Sequence, residues 1–542
     1  MKVVRFILPV VILALTAWAA PGPRETRVSI RILGPDGQVA PAMVCVTDAA
    51  TGAVRLPPDG REPARMSTTA DFTGGIPYRK DPAWVGPVRK TAGKGDNRDR
   101  SYVYGLLPSI PWWSEPVMYQ TSGDFSIKLP AGRWRLAVSR GMETVPVVET
   151  FATEGAALEK TVRLERWIDL AKEGWISGDV HVHHPTTEES HRDFLLEYAR
   201  AEDVRLVNIL EQTHHGGRHS PQAGFGPKFR AERDGRWLVS GQEAPSSTFG
   251  HIIGLNVERL VHRPDTYDFY DLAFREIHDQ KGALVGYAHF SWNGCDLPRG
   301  FPWNVTTGEI DFVELLQFSK LNALDYHDYL NLGFKLVAAA GSDVPWGSTM
   351  GEVRTYVQTG DAFDPDRWFE GLRRGATFVT NGPALDFTVE GRLPGAGIEK
   401  AAGSSVKAVL RARGHPKIGL PDSLRLVGNE GVLKEVKPTA GEAELRLEMD
   451  VPLRGSRWLA ASASCSNGAL AHTSPVYVVV DGRPTWCPER APALIDKQLA
   501  AIRKIEAEFA GKPDPRSRGI VERLAKAVKY YEDLGIEIHR RR

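Results

Sequence analysis

The residues with the clearest chemical potential in this 542-residue chain are histidines and carboxylates near its middle. His181 and His183 close an apolar run, in the sequence GDVHVH at 178–183. Residues i and i+2 of a strand point to the same side, so a strand here would direct both imidazoles toward one point, as a metal ion requires. Further candidate ligands lie beside other short apolar runs: His214, Glu243, His251, His289 and Asp343. His214 and His215 are adjacent and compete for one place, and the sequence leaves that choice open.

Imidazole and carboxylate ligands together suit Zn, Mn or Fe better than Mg or Ca. A pair of such ions lowers the pKa of bound water from about 15.7 to about 7, which supplies hydroxide at neutral pH. The reacting group would then be this water, with Asp343 and His289 as the nearest candidate side chains. The sequence has no G-x-S-x-G elbow, and no Walker or G-x-G-x-x-G motif lies between a predicted strand and helix. We therefore expect neither serine-hydrolase nor nucleotide-driven chemistry.

Candidate substrate contacts follow two of the proposed ligands. Trp292 and Asn293 come directly after His289 and could line a cavity beside it. Arg354 follows Asp343 along the chain, and its guanidinium could bind an anionic group with two parallel hydrogen bonds. A structural ion pair, with Glu352 or another neighbour, is the alternative role for Arg354.

The helices and strands predicted around these residues indicate an α/β domain. Amphipathic patterns that end at Gly282 and Gly375 predict helices at 268–281 and 364–374. Short apolar runs predict seven strands: 175–183, 205–210, 237–243, 251–257, 283–289, 312–318 and 335–343. Alternating strands and helices favour a parallel sheet, and about seven strands favour a barrel over an open sheet. Functional groups of such barrels collect at the carboxyl ends of the strands, where most of the candidates fall.

The flanking regions have a different character. Alternating apolar and polar residues predict β-sandwich-like domains on both sides, and apolar stripes at helical spacing predict a helical tail. The predicted organisation is a signal peptide at 1–20, an N-terminal β-sandwich at 26–165, the barrel at 170–383, a C-terminal β-domain at 384–482 and the tail at 488–542.

The N-terminus has the features of an export signal. Lys2 and Arg5 precede an apolar stretch at 6–16, and Ala-Trp-Ala at 17–19 matches a cleavage site, so we expect a secreted or periplasmic protein. The stretch is too short for a stable membrane anchor. In an oxidising compartment Cys465 and Cys487 are close enough in sequence to pair.

The charge balance bears on the partners. Lys plus Arg number 68 and Asp plus Glu number 67, for a formal net charge of +1. No basic excess is present to attract nucleic acid, so the expected partner is a small-molecule substrate. The oligomeric state is not specified by the sequence.

Taken in order, the motifs resemble those of the PHP superfamily (polymerase and histidinol phosphatase), and more closely its CehA/McbA-like secreted metallohydrolases. They span about 210 residues: GWISGDVHVH at 174–183, AED at 201–203, GQE at 241–243, GH at 250–251, AH at 288–289, GSD at 341–343 and TNGP at 380–383. The resemblance implies a distorted (β/α)7 barrel. The region at 26–165 is similar to carboxypeptidase regulatory-like modules.

The resemblance also implies a set of metal ligands. One ion would be held by His181, His183, Glu243 and Asp343. Glu243 would bridge to a second ion, which His251 and His289 also bind. A third ion is not expected, because Val344-Pro345 follow Asp343 where the family has a histidine ligand.

We therefore expect a secreted hydrolase that uses two divalent ions and an activated water on an ester, amide or phosphoester. The alternative is a degenerate barrel that binds a ligand or carbohydrate without turnover. Val344-Pro345 and the altered second-strand motif, EQTHH at 211–215, motivate that alternative.

Overall fold

The computed structural model describes residues 25–55, 110–115, 118–214, 217–291, 299–345 and 349–541. Over these ranges the chain has a mixed α/β architecture that is rich in strands. The predicted signal peptide at 1–20 lies outside them. Within the described ranges, every helix is too short or too polar to cross a membrane.

The N-terminal region forms two small sheets. Its strands are β1 (Glu25–Leu33), β2 (Ala42–Asp48), β3 (Val54–Arg55), β4 (Tyr119–Thr121), β5 (Asp124–Pro130), β6 (Gly132–Ser139), β7 (Val147–Thr153) and β8 (Leu158–Arg163). Strand β1 lies between β5 and β8 in one sheet, while β2 pairs with β3, β4 and β6 in the other, and β7 pairs with β6. Alternate residues of β1, namely Val28, Ile30 and Ile32, are fully buried, because successive side chains of a strand face opposite sides.

The middle region carries most of the helices. Its strands are β9 (Trp175–Val182), β10 (Leu206–His214), β11 (Gly217–His219), β12 (Ala231–Arg233), β13 (Arg236–Ser247), β14 (Gly250–Leu255), β15 (Leu284–Tyr287), β16 (Phe312–Gln317), β17 (Lys320–Leu321), β18 (Val337–Ala340), β19 (Arg354–Gln358) and β20 (Thr377–Thr380). Its helices are α1 (Glu189–Ala201), α2 (Tyr270–His278), α3 (Phe301–Asn304), α4 (Ala323–Asn331) and α5 (Pro365–Arg373). Each of the seven predicted runs contains a strand, and both predicted helices are present as α2 and α5.

The strands of the middle region form a strongly curved sheet. Strands β9, β10 and β13 are mutually parallel neighbours, as are β15, β16 and β18. After β18 the chain returns to β9, since Asp343 N–H donates to His181 O and His183 N–H donates to Val344 O, both at 2.7 Å. The carboxyl ends of these strands therefore meet at one edge.

The prediction of a parallel sheet is wrong for β14. This strand runs antiparallel to both β13 and β15. Only two residues, 248 and 249, connect β13 to β14, and so short a connection allows only an antiparallel hairpin. As a result His251, at the start of β14, lies at the same edge as the carboxyl end of β13.

The C-terminal region is again built of strands, followed by two helices. The strands are β21 (Ala384–Val389), β22 (Gly397–Lys400), β23 (Ser405–Arg413), β24 (Pro421–Gly428), β25 (Gly431–Val436), β26 (Glu444–Pro452), β27 (Arg457–Cys465), β28 (Leu470–Thr473) and β29 (Val476–Val480). Strands β21, β23 and β26 form a separate sheet, whereas β28 pairs with β20 of the middle region. The suggested disulfide does not form: Cys465 and Cys487 are both free thiols, and both are buried.

The helical tail forms a hairpin of α6 (Ala491–Phe509) and α7 (Pro515–Arg540). Asp514 caps α7 by accepting a hydrogen bond from Ser517 N–H, with Pro515 at the first helical position. The predicted apolar stripes, including Ile502 and Leu524, are buried against the middle region. These stripes are therefore packing surfaces of the folded chain.

Candidate metal centre

His181 and His183 converge at the end of β9. Every residue of this strand is buried, and its two-residue alternation brings the two rings to one side. Their Nε2 atoms lie 2.9 Å apart. The Nδ1 atom of His181 lies 2.8 Å from Glu314 Oε1, and that of His183 lies 3.1 Å from the carbonyl oxygen of Leu210. The convergence predicted from the i, i+2 spacing is therefore confirmed.

The partners at Nδ1 determine what the facing Nε2 atoms can do. Carboxylate and carbonyl oxygens accept hydrogen bonds, so Nδ1 of each ring donates and Nε2 of the neutral ring carries a lone pair. Two lone pairs 2.9 Å apart repel each other unless a proton or a metal cation lies between them. This donor arrangement fits a metal ion.

Among the residues that the structure describes, two sets of three buried side chains have their ligand atoms within 4.8 Å of one another, close enough to hold one ion each. The sets are His181, Glu243 and His289, and His181, His183 and Asp343. Asp343 Oδ1 lies 3.3 Å from His181 Nε2 and 3.5 Å from His183 Nε2. His181 is the member common to both sets, whereas the family resemblance implied that Glu243 is shared.

Glu243, near the middle of β13, contacts imidazoles from three other strands or strand ends. Its Oε1 lies 2.7 Å from His251 Nδ1 and 3.3 Å from His289 Nε2. Its Oε2 lies 3.2 Å from His183 Nε2 but accepts no hydrogen bond within the described part of the chain. A buried carboxylate oxygen without a donor is a group that a bound cation would satisfy. His251 is outside both three-residue sets but touches Glu243 and His289, at 2.7 and 3.1 Å.

Two of the candidate ligands adopt backbone conformations that L-amino acids rarely take. The φ angles are 57° at His289 and 56° at Asp343, both in the left-handed region. Such conformations cost of order 1–3 kcal/mol each and cluster at functional sites, where the surrounding structure holds them in place. Each residue lies just beyond a strand end, where the chain turns its side chain into the centre.

The charged groups of the centre shift one another's pKa values. Burial acts to lower the pKa of His181, but the carboxylates of Glu314, Asp343 and Glu243 outweigh it and hold that pKa well above the usual value. Burial acts likewise on His289, yet the hydrogen bond to Glu243 and the charge of Asp343 raise its pKa to about 9. Positive charge is therefore favoured at this position, which is consistent with a cation site.

The pKa values of the two carboxylates in the centre are shifted in opposite directions. Burial acts to raise the pKa of Glu243, but His251 and His181 hold it well below its usual range. For Asp343 burial dominates, and the pKa is raised. Burial also lowers the pKa of His251. Glu243 is thus the firmly anionic group of the centre.

Asp179 connects the first strand of the site to the segment that carries Asp343. Its Oδ1 accepts from the backbone N–H groups of His181 and Ser342, both at 3.0 Å, and its Oδ2 accepts from Ser342 Oγ at 2.6 Å and from Gly351 N–H at 2.8 Å. Gly341 lies beside this contact, where an added Cβ would collide with Glu314 Oε1 and His181 Cβ.

Several predicted site residues are not part of this cluster. His214 is half-buried, its Nδ1 lies 3.3 Å from Ser246 O, and its ring packs against His219. It belongs to neither candidate set among the described residues. His215, Trp292 and Asn293 lie outside the described residues, so the choice between His214 and His215 stays open.

Arg354 was predicted to contact substrate, and this prediction is corrected. The side chain is only 1% exposed. Its guanidinium donates to the backbone carbonyl oxygens of Gly351, Asp203 and Glu202, at 3.0, 3.3 and 2.5 Å. The group therefore joins the end of α1 to the start of β19 and is not available to a ligand.

Sequence reasoning missed two residues on β16 that contact the candidate ligands. Glu314 meets His181 Nδ1 and the backbone N–H of His289, and Gln317 Oε1 accepts from His289 Nδ1 at 2.9 Å. The available signal was a glutamate between the apolar residues of FVELLQ, because charged residues are almost never fully buried without a partner.

Comparisons with known proteins add little. No protein-family model and no curated protein matches the chain. Among solved structures, PsfC from Pseudomonas syringae PB-5123 is 14% identical with a TM-score of 0.27, over 36% of this chain and 87% of that chain. The fibronectin(III)-like modules of Clostridium thermocellum CbhA are 13% identical with a TM-score of 0.14, over 18% of this chain and 98% of that chain. Likenesses of this size carry no argument about function.

Proposed function

We propose that this protein is a secreted or periplasmic metal-dependent hydrolase of the PHP type that acts on a small-molecule ester, amide or phosphoester. The observation that carries the proposal is the 2.9 Å approach of two imidazole Nε2 atoms whose Nδ1 atoms both face acceptors. The buried carboxylates of Glu243 and Asp343 beside them supply the negative charge that divalent ions require.

The fold supports the same proposal. The candidate ligands come from β9, β13, β14 and the segments after β15 and β18, and they meet at one edge of a curved sheet. Backbone hydrogen bonds lead from the end of β18 back to β9, as a PHP-type barrel would require. In this proposal the two flanking β-regions and the helical hairpin act as scaffold.

The ligand residues would be His181, His183, Glu243, His289 and Asp343, with His251 beside them. Two bound Zn, Mn or Fe ions would activate water and polarise the carbonyl or phosphoryl oxygen under attack. Gln317 holds Nδ1 of His289, and Glu243 faces Nε2 of the same ring, so His289 has no free nitrogen for proton transfer. Asp343 is the remaining candidate for moving a proton: its Oδ1 is the oxygen beside His181 and His183, and its Oδ2 lies 3.8 Å from His289 Nδ1.

Metal analysis tests the proposal first. The double variant His181→Ala/His183→Ala should lose at least one equivalent of metal relative to the unaltered protein, since His181 belongs to both sets of ligands and His183 to one of them. The matched control is His278→Ala/His415→Ala, which removes two histidines outside the centre and should keep full metal content. Equal metal content in the two double variants would reject the site.

A hydrolysis assay tests whether the metal centre is catalytic. The metal-loaded protein should cleave at least one member of a panel of esters, amides and phosphoesters, and the His181→Ala/His183→Ala variant should not. If the protein binds metal through these residues but cleaves nothing in the panel, the alternative of a non-catalytic binding barrel is favoured.

A further inference from the structure

We propose that Glu314 is a positioning residue that orients two candidate ligands, His181 and His289, through the two oxygens of one carboxylate. The inference rests on the proposed metal centre but assigns to Glu314 no direct contact with an ion. Glu314 lies on β16, is fully buried, and is flanked by the apolar residues of that strand.

The first oxygen fixes the His181 ring. Glu314 Oε1 lies 2.8 Å from His181 Nδ1 and accepts its proton. A ring protonated at Nδ1 presents the lone pair of Nε2 to the centre, toward His183, Glu243 and Asp343. Carboxylate partners of this kind hold a metal-binding histidine in the required tautomer and raise its basicity.

The second oxygen fixes the backbone of His289. Glu314 Oε2 accepts from His289 N–H at 2.9 Å. Because φ at His289 is 57°, this residue needs external contacts to keep its conformation. Gln317, three residues further along the same strand, holds the ring through Nδ1. Strand β16 therefore fixes both the main chain and the side chain of His289.

Glu314 is distinct from the ligands themselves. Neither of the two candidate ligand sets found in the described ranges includes it. Its oxygens face two donors, Nδ1 of His181 and the backbone N–H of His289. The candidate ligand oxygens of Glu243 and Asp343 lie instead near Nε2 of His181. A role through His181 and His289 accounts for both contacts.

The substitution Glu314→Gln separates this role from simple filling of space. Glutamine has nearly the same shape, but one of its two terminal atoms is a donor. Whichever way the amide is turned, that donor meets another donor, either His181 Nδ1–H or His289 N–H. The variant must therefore change the His181 tautomer or release the His289 backbone.

The experiment compares metal affinity and the metal spectrum rather than turnover. The full-length protein, Glu314→Gln and the control Glu202→Gln are each titrated with Zn²⁺ against a chelator, and with Co²⁺ while the visible spectrum is recorded. Glu202 is also a fully buried glutamate but contacts none of the ligands. We expect Glu314→Gln to bind Zn²⁺ about 10–100-fold more weakly and to change the Co²⁺ spectrum, while Glu202→Gln keeps the values of the unaltered protein.

A Glu314→Gln variant with unaltered affinity and spectrum would overturn the inference. If that variant fails to fold, Glu314→Asp keeps the buried charge on a side chain one methylene shorter, which cannot reach both donors; it should show the same weakening, and unaltered affinity would again reject the role. An unaltered protein that binds metal but hydrolyses nothing contradicts only the proposed function. One that binds neither Zn²⁺ nor Co²⁺ contradicts both.

Discussion

Glu243 is the residue on which the chemistry of the centre most depends, since it contacts imidazoles from β9, β14 and the end of β15. Each of its oxygens serves a different part of the cluster. Oε1 faces His251 and His289, and Oε2 faces His183. A single carboxylate in this position can influence both candidate sets of ligands.

Replacement of Glu243 by glutamine should therefore weaken metal binding at both sites. The amide removes the negative charge and offers one acceptor in place of two, so we expect a loss of affinity greater than the roughly 10–100-fold typical of outer partners. Metal equivalents retained after dialysis measure the effect. Glu211→Gln, which alters a buried carboxylate bound to Arg218 and Gln222, serves as the control. Loss of only one equivalent would show that Glu243 does not serve both sites.

For single residues, the sequence predicted which residue types lie in the centre better than it predicted what each side chain contacts. The i, i+2 spacing of His181 and His183 determines their common side, so their convergence followed from local geometry. Arg354 was misassigned because its strand position does not reveal which carbonyl groups surround it. Glu314 was missed for a related reason: it acts through His181 and His289, which are distant in sequence.

At the scale of elements, helix α1 is followed by a buried acidic pair, Glu202 and Asp203. Asp203 accepts from Arg166 and Arg236, and Glu202 accepts from Thr349 Oγ1 at 2.5 Å. Burial raises the pKa of Glu202 to about 7, although the Thr349 hydrogen bond and the charge of Arg354 oppose the shift. Below about pH 7 the protonated form of Glu202 is therefore preferred in the folded chain.

This shift predicts a pH-dependent stability. The folded pKa of about 7 exceeds the ordinary value of 4.5, so the folded state holds the proton more tightly. The contribution to the free energy of unfolding is complete below about pH 4.5 and is lost as the pH rises through about 7, by about 3 kcal/mol at most. Glu202→Gln should therefore gain stability relative to the unaltered protein between pH 5 and pH 8.

Equilibrium unfolding in denaturant at the two pH values measures this difference. The exposed residue Glu159 provides a control, because Glu159→Gln should follow the unaltered protein at both pH values. A gap between Glu202→Gln and the unaltered protein that stays constant from pH 5 to pH 8 would contradict the assignment.

The elements themselves were largely predictable. Helix α5 has Asp364 as its cap and Pro365 at its first position, both local signals that its sequence carries. The direction of β14 was predicted wrongly, because an apolar run fits a strand of either direction and only the two-residue connection to β13 decides it. The backbone hydrogen bonds that join the segment after β18 to the end of β9 connect residues more than 150 positions apart.

At the scale of the whole molecule, helix α4 joins the middle region to the C-terminal strands and to the helical hairpin. Trp458 Nε1 donates to Asn331 Oδ1, and Tyr329 OH donates to Gln498 Oε1, both at 2.9 Å. Tyr531 OH donates to Pro302 O at 2.8 Å. The hairpin is therefore an integral part of the packed core.

A core substitution in the hairpin should consequently destabilise the protein without direct loss of metal ligands. Leu524 on α7 is fully buried, and Leu524→Ala should lower the free energy of unfolding by about 2–5 kcal/mol. Ile536 on the same helix is 51% exposed, and Ile536→Ala should change it by less than about 0.5 kcal/mol. Denaturant unfolding of the two variants tests this, and equal losses would mean that α7 does not pack as described.

The tight space around Gly341 has a consequence for evolution. Because a methyl group at that position would collide with both the His181 side chain and the Glu314 carboxylate, a homologue can keep that pair in place only if it also keeps glycine there. Glycine, histidine and glutamate should therefore be inherited or lost together. Their joint presence would be a more selective marker for distant members of this lineage than the histidines alone.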